Sequence, residues 1–565
     1  MEKAEVVRCL RLANQLWAIE GANPYRVRAH DRAADAIEQS PLPLDEILQL
    51  SPGDIPGVGR ETLAMIRTLI EQGMPGLLRR LDITIPVTSV ELLRLPGIGP
   101  KTAHRLVHEH GIHSAADLDA ALRDGRLRQI PGLGPNRLAR LRRELTVFFE
   151  RQHAVPIAIA WPLAVRLTEH IRSLPGVSRV SVTGPVRRLV TMSPAIDLVA
   201  AAEDPAPLFA WAGHPQPNEP CPTLSMQVPA QDHPVPVRIR VTDERRFPLC
   251  LMRTTGDATH HEVITGLLRR RGITWTDDDR LLGTAAVIRD ETDLYDLVGL
   301  PFLPPEIREG RGLLCNPDAL VDRSDIRGDL HVHTTWSDGS MSVAEAVQAA
   351  EALGYEYIAI TDHSQSLAIA GGLDPERVRR QREEIHEVRE HSRVRVLHGI
   401  EVDILPDGRL DLPDDVLFEL DLVIASVHSA MDQSREQMTE RILRAIRHPA
   451  VHIIGHLTGR ILGRRAPYDL DLDRLFDEAL VHGVLFELNA NPNRLDISED
   501  LLRTAKSRGM LIPVNTDTHH PDEFHHMEYG VRMARRGWLS SGDVLNTLPY
   551  DDLVRRLLRR RSRVN

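Results

Sequence analysis

From Gly328 onward the chain alternates short apolar runs with amphipathic stretches, and six of those runs end on metal-binding side chain types. They read "HVHTTWSDG" (His331, His333, Asp338), "YIAITDHS" (His363, beside Asp362), "VLHGIEVDIL" (Glu401), "LVIASVHSA" (His428), "HIIGHLTGR" (His456) and "IPVNTDTHH" (Asp517, His519). Short strands alternating with helices predict parallel βα units, and parallel α/β barrels build their sites at the C-terminal ends of strands. Residues i and i+2 of a strand face the same way, so His331 pairs with His333, and Asp517 pairs with His519. Nine nitrogen and oxygen ligands are too many for one ion and suit two or three. Mixed imidazole and carboxylate shells without cysteine suit Mn, Zn or Fe. His391, His398, His448, His452, His482 and His520 lie on predicted helices or beside a better candidate and are expected in core or surface roles.

A chain of 565 residues exceeds what one hydrophobic core holds, so several domains are expected. No apolar run is long enough to span a bilayer, and "MEKAEVVRCLRLANQLWAIEG" reads as an amphipathic helix rather than a signal peptide. Cys9, Cys221, Cys250 and Cys315 share no CxxC spacing and read as reduced thiols. A cytoplasmic protein without membrane contact is expected, with a monomer as the default. The net charge of −11 is unevenly spread. Residues 1–327 hold 40 basic against 41 acidic side chains, and residues 328–565 hold 29 against 39.

Three copies of one motif occupy the first 150 residues: "IPGVGRETLAMI" at Ile55, "LPGIGPKTAHRL" at Leu95 and "IPGLGPNRLARL" at Ile130. Each sets Pro-Gly-apolar-Gly before an amphipathic helix, leaving open N–H groups at a helix N-terminus for an anion. The motif resembles the helix-hairpin-helix module, which grips DNA backbone phosphate without reading bases. The contacts this implies are Gly57, Gly59, Gly97, Gly99, Lys101, Gly132, Gly134 and Arg137, with Arg140 beside them in the basic island that starts at Arg123. Beyond residue 155, "VSRVSVTGPVRRLVTMSPAIDLVAA" and "VPVRIRVTD" are strand-like, and a Pro-rich link precedes the βα region.

The metal-binding segments resemble the polymerase-and-histidinol-phosphatase (PHP) superfamily of metal-dependent phosphoesterases. That resemblance implies a distorted (β/α)7 barrel in which Glu401 bridges the ions; Arg460, with Arg464 and Arg465 as further candidates, would hold a phosphate by paired hydrogen bonds, a plain surface role being the alternative for these arginines. With "IEGANPYRVRAHDRAADAIE", "GPVRRLVTMSPAIDLV", "TTGDATHHEV" and "LVGLPFLPPEIREG", the whole chain is similar to the bacterial family X DNA polymerases. The implied architecture is multidomain: α-helical helix-hairpin-helix domains at 1–80 and 81–150, an α/β nucleotidyltransferase-like palm and thumb at 151–310, a linker at 311–326, and the PHP barrel at 327–565.

The palm departs from that family. Its paired aspartates read Ala195 and Asp197, its third acid falls at Arg238, and its Gly-Ser turn reads Gly184-Pro185, ahead of Arg187. A cation cannot ligate Mg²⁺ and repels it, so no palm magnesium is expected. The helix that carries a Schiff-base lysine in some relatives has none here. The chain's lysines are Lys3, Lys101 and Lys506, of which Lys101 stays a candidate. The expected function is a DNA-binding, metal-dependent phosphoesterase in repair. It would act as a 3′-5′ exonuclease or process abasic sites and 3′ ends on gapped or nicked duplex, with DNA synthesis lost. The alternatives are an active polymerase drawing on Asp232 or Asp243, a small-molecule phosphatase of the histidinol-phosphatase type, and a non-catalytic DNA-binding scaffold.

Overall fold

A computed structural model describes all residues except 1, 2, 41, 131, 132, 216–220, 231–233, 311, 313, 314, 564 and 565. The chain forms two compact units, Met1–Phe149 and Glu150–Asn565.

The first unit is helical. The opening segment folds as the expected amphipathic helix, Lys3–Ile19, and buries Val6, Leu10, Ala13 and Trp17 at helical spacing. The three repeats share one geometry. Val58 N donates to Ile55 O at 3.0 Å, Ile98 N to Leu95 O at 3.1 Å and Leu133 N to Ile130 O at 3.1 Å. Each turn then launches a helix: Arg60–Arg80, Pro100–His110 and Pro135–His153. Gly57 and Gly97 hold φ of +89° and +85°, where a β-carbon would crowd the backbone.

The second unit begins with a four-stranded sheet made of β1 (Val177–Thr183), β2 (Ile196–Ala202), β3 (Thr223–Val228) and β4 (Val235–Thr242), in the order β1-β2-β4-β3. β2 and β4 run parallel, in a register that sets Asp197 opposite Arg238.

Helices Phe247–Thr255, Ala258–Arg270 and Glu291–Val298 follow, and from Gly328 onward the unit forms the barrel. Its parallel strands are β5 (Gly328–Val332), β6 (Tyr357–Ile360), β7 (Arg395–Asp403), β8 (Leu422–Ser426), β9 (Ile453–Ile454), β10 (Leu485–Phe486), β11 (Leu488–Asn489) and β12 (Val514–Asn515). β5 to β10 make one six-stranded sheet in sequential order, and β11 pairs with β12. A parallel bridge from Val332 to Thr518 returns the chain end to β5 and closes the ring. Glu487 alone separates β10 from β11, so seven strand positions result and the distortion sits at that acid. β5, β6 and β8 are buried along their whole length, as parallel strands covered by helices on one side and a packed interior on the other must be. No helix among the described residues is long and apolar enough to cross a membrane.

Candidate metal centre

The nine side chains singled out in the sequence converge at the C-terminal mouth of the barrel. Three overlapping groups have ligand atoms within 4.8 Å of one another: His331, His333, Glu401 and Asp517; His363, Glu401 and His428; and His333, Asp338, His363 and His519. His456 joins through Nε2, 3.0 Å from Glu401 Oε1. Glu401 is the hub. Its Oε2 lies 2.8 Å from His363 Nδ1, 3.5 Å from His331 Nε2 and 3.6 Å from His333 Nε2, and its Oε1 lies 3.4 Å from His428 Nε2. The strand-end pairing holds at β5, where the His331 and His333 rings stand 5.1 Å apart.

These residues fit divalent ions. His331 Nε2, both ring nitrogens of His333, His363 Nδ1 and Glu401 Oε2 are buried polar atoms without a hydrogen-bond partner. Leaving such atoms unsatisfied costs about 1–3 kcal/mol each, and a shared cation removes that cost. Burial would push Glu401 up, but His428, His363 and His331 hold its carboxyl well below the usual carboxylate range. Burial, with His519 and His363 alongside, pushes His333 down to about 3, so its ring stays neutral with a lone pair to give. Burial also opposes charge on His428, yet Glu401 and Asp403 lift it to about 10.

The supporting acids went unrecognised in the sequence. Glu487 accepts from His331 Nδ1 at 2.8 Å, and Asp403 accepts from His428 Nδ1 at 2.6 Å. Each orients a ring so that its Nε2 faces the cluster. Both had a signal: Asp403 is two residues after Glu401 on β7, and Glu487 interrupts the apolar run "VLFELN". His456 and Asp517 hold left-handed φ of +25° and +56°, a strained backbone of the kind found at functional sites. Gly455 is required beside His456, because an added Cβ would lie 2.4 Å from Ser426 Oγ.

Arg460 is placed differently from its expected role on phosphate. It is largely buried and donates to the carbonyls of Arg494 (3.0 Å) and Leu495, since a buried guanidinium takes whatever acceptors the neighbouring turn offers. Arg494 stands closest to the cluster instead, with Nε 3.9 Å from Asp517 Oδ2. Arg465 donates to Gly459 O at 2.7 Å, and Arg464 is exposed. His398 and His452 are core residues, whereas Asp362 accepts from Thr334 and Ser337 and braces the loop that carries Asp338.

In the four-stranded sheet, Arg238 grips Asp197 with two hydrogen bonds, Nε to Oδ1 at 2.6 Å and Nη2 to Oδ2 at 2.9 Å. Ala195 is buried, and Gly184 packs so tightly that a Cβ there would lie 2.6 Å from Asp197 Oδ2. Arg187 is held by Glu291 at 2.6 and 3.0 Å. Asp243 pairs with Arg246 at 3.2 Å, and Asp232 lies outside the described residues.

In the first unit Gly57, Gly59, Gly97, Gly99, Gly134 and Lys101 are exposed, and a Cβ built on Gly57, Gly59, Gly97, Gly99 or Gly134 would meet nothing within 4 Å beyond its own adjoining backbone. Arg137 donates to Gly97 O, and Gly132 lies outside the described residues. Lys3 is bonded to Ser40 O at 2.6 Å and Lys506 to Asp543 at 2.9 Å.

Comparison with known proteins bears on the whole chain. Residues 1–75 match the family described as helix-hairpin-helix domain, residues 89–146 the SAM-like helix-hairpin-helix tandem, and residues 329–491 the PHP domain. The DNA polymerase/3′-5′ exonuclease PolX of Bacillus subtilis (strain 168) is 34% identical over 98% of this chain and 99% of its own length. Probable phosphatases of Thermoanaerobacter sp. (strain X514) and Acetivibrio thermocellus are 29% and 27% identical over 39% and 40% of the chain, which is 89% and 95% of theirs. With a relative of that similarity along nearly its full length, helix-hairpin-helix modules at the front and a PHP domain behind, the chain belongs to the PolX group of family X DNA polymerases.

Proposed function

We propose that this protein is a metal-dependent phosphodiesterase that processes DNA 3′ ends in repair through its barrel, and that its palm no longer synthesises DNA. The observation that carries the reading is the convergence of nine ligand-type side chains, with Glu401 at their hub and five buried atoms left for ions. Two or three divalent ions, Mn, Zn or Fe, would be held by the three groups of side chains around Glu401. When bound, they supply Lewis acidity to a phosphoryl group and activate water. The chain's own residues do the rest. Glu487 and Asp403 fix the ring orientations, and Arg494 offers a cation beside Asp517 for a non-bridging phosphate oxygen. The exposed glycine turns and Lys101 suit DNA backbone, and the five-part division at residues 80, 150, 310 and 326 remains part of this reading.

The PolX relative's name includes DNA polymerase, but the Arg238–Asp197 pair argues against that activity here. Asp197, the one acid left at the three positions where the resemblance expects them, takes two hydrogen bonds from a guanidinium where Mg²⁺ needs free oxygens. The probable phosphatases match over the barrel, and the hairpin unit beyond that match favours a nucleic-acid substrate over a small one. The test measures nucleotide release from 3′-labelled gapped duplex with Mn²⁺, alongside primer extension with Mg²⁺ and dNTPs. Release by wild type, its loss in His333→Ala, and no extension are expected. Release that survives His333→Ala, or robust extension, overturns the reading.

A further inference from the structure

Arg441, on the helix Arg435–Arg447 that follows β8, is 1% exposed. A buried guanidinium ordinarily faces a carboxylate, because stripping water from an unmatched charge is costly. Arg188, Arg308, Arg532 and Arg536, also buried, each pair with a glutamate. Arg441 makes no ion pair among the described residues, and its donors go to uncharged oxygens of two loops instead. Nε donates to Ile404 O at 3.0 Å, and Nη2 donates to the same carbonyl. Nη1 donates to Ser429 O at 2.9 Å and is shared with Gln433 Oε1 at 3.3 Å and Ala430 O at 3.4 Å. Gln433 donates in turn to Pro406 O at 2.8 Å, which ties the same two loops a second time.

Both loops begin beside the metal cluster. Ile404 follows Asp403, which accepts from His428 Nδ1 at 2.6 Å, and Ser429 follows His428 itself. Ala430 is held at a left-handed φ of +46°, so the turn after His428 needs outside bonds to keep its shape. A planar fork with five donors spans both chains in a way that the point charge of a lysine does not. His428 Nε2 stands 3.4 Å from Glu401 Oε1, and His428 belongs to the group it forms with His363 and Glu401. The other two groups contain neither His428 nor any residue of these loops. Resting on the metal-dependent reading above, we infer that Arg441 is a positioning residue for one ion. By tying Ile404 to Ser429 it holds His428 against Asp403, and so sets the affinity of the site that His428 completes with His363 and Glu401.

Mn²⁺ binding to the full-length protein is measured by calorimetry, beside the unfolding midpoint without metal. Wild type should bind more than one Mn²⁺ ion. Arg441→Met should weaken one of them about tenfold or more and leave another within about twofold. Arg441→Lys keeps the charge but loses the fork, and should weaken the same ion by about threefold or more, which carries the test if the Met variant does not fold. His428→Ala should lose that ion, and Arg441→Met added to it should change nothing further. Ile446→Ala, in the core on the same helix, should lower the unfolding midpoint and leave every affinity within about twofold. Unchanged affinities in both Arg441 variants, an equal loss at every ion, or the same selective loss in Ile446→Ala overturns the inference while wild-type Mn²⁺ binding keeps the metal reading. A wild type that binds a single ion ends the inference, and one that binds none ends the metal reading with it.

Discussion

Glu487→Gln is the sharpest probe of how the cluster is built. Glu487 accepts four hydrogen bonds in full burial. Oε1 takes His331 Nδ1 at 2.8 Å and Asn515 Nδ2 at 2.9 Å, and Oε2 takes His456 N at 3.0 Å and Asn489 Nδ2 at 3.2 Å. Glutamine keeps the shape but has one carbonyl oxygen, so its amide nitrogen must face two of those four donors. Either His331 loses its tether or the backbone of His456 does. At about 1–3 kcal/mol per stranded buried donor, unfolding free energy should fall by about 2–6 kcal/mol. Losing the carboxylate behind a ligating imidazole should weaken Mn²⁺ binding by roughly 10–100-fold. Denaturant titration gives the first quantity, and metal analysis with a Mn²⁺ titration of nuclease rate gives the second. A variant with wild-type metal affinity, or one destabilised by less than about 1 kcal/mol, would show that Glu487 does not position the ligands.

Excess Mn²⁺ at about 100 times its Kd should raise the stability of the wild type by about 3 kcal/mol in thermal or denaturant unfolding, and His333→Ala should abolish the gain. His260 is pushed down from 6.5 to about 4 by burial and the nearby Arg308, so the unfolded chain takes up its proton at higher pH than the fold does. Its stabilising contribution, about 3 kcal/mol in full, is present above pH 6.5 and is lost as pH falls towards 4; denaturation midpoints of His260→Gln should fall less over that window. Lys101→Ala should reduce the slope of log DNA affinity against log salt by about 0.9, one phosphate contact, measured by fluorescence anisotropy.

Much of this protein was legible in its sequence because side chains able to hold a metal betray themselves. A histidine or carboxylate at the end of an apolar run is costly to bury alone, so His331, His333, His363, Glu401, His428, His456 and Asp517 stood out before any contact was known. Repetition served equally for the hairpins, whose three turns reuse one hydrogen bond. Ala195 and Arg238, at positions where the resemblance leads one to expect acids, were also visible one residue at a time.

Tertiary structure alone decided the rest, because those features depend on partners far along the chain. Glu487 acquires its purpose from His331, 156 positions earlier, and Arg238 from its register opposite Asp197. Arg460 shows the limit of motif reading: the sequence marks a cation after a strand, but the turn at 494–495 claims its hydrogen bonds and leaves Arg494 beside Asp517. A residue's type sets what bonds it needs, and only the closed barrel determines which neighbours meet that need.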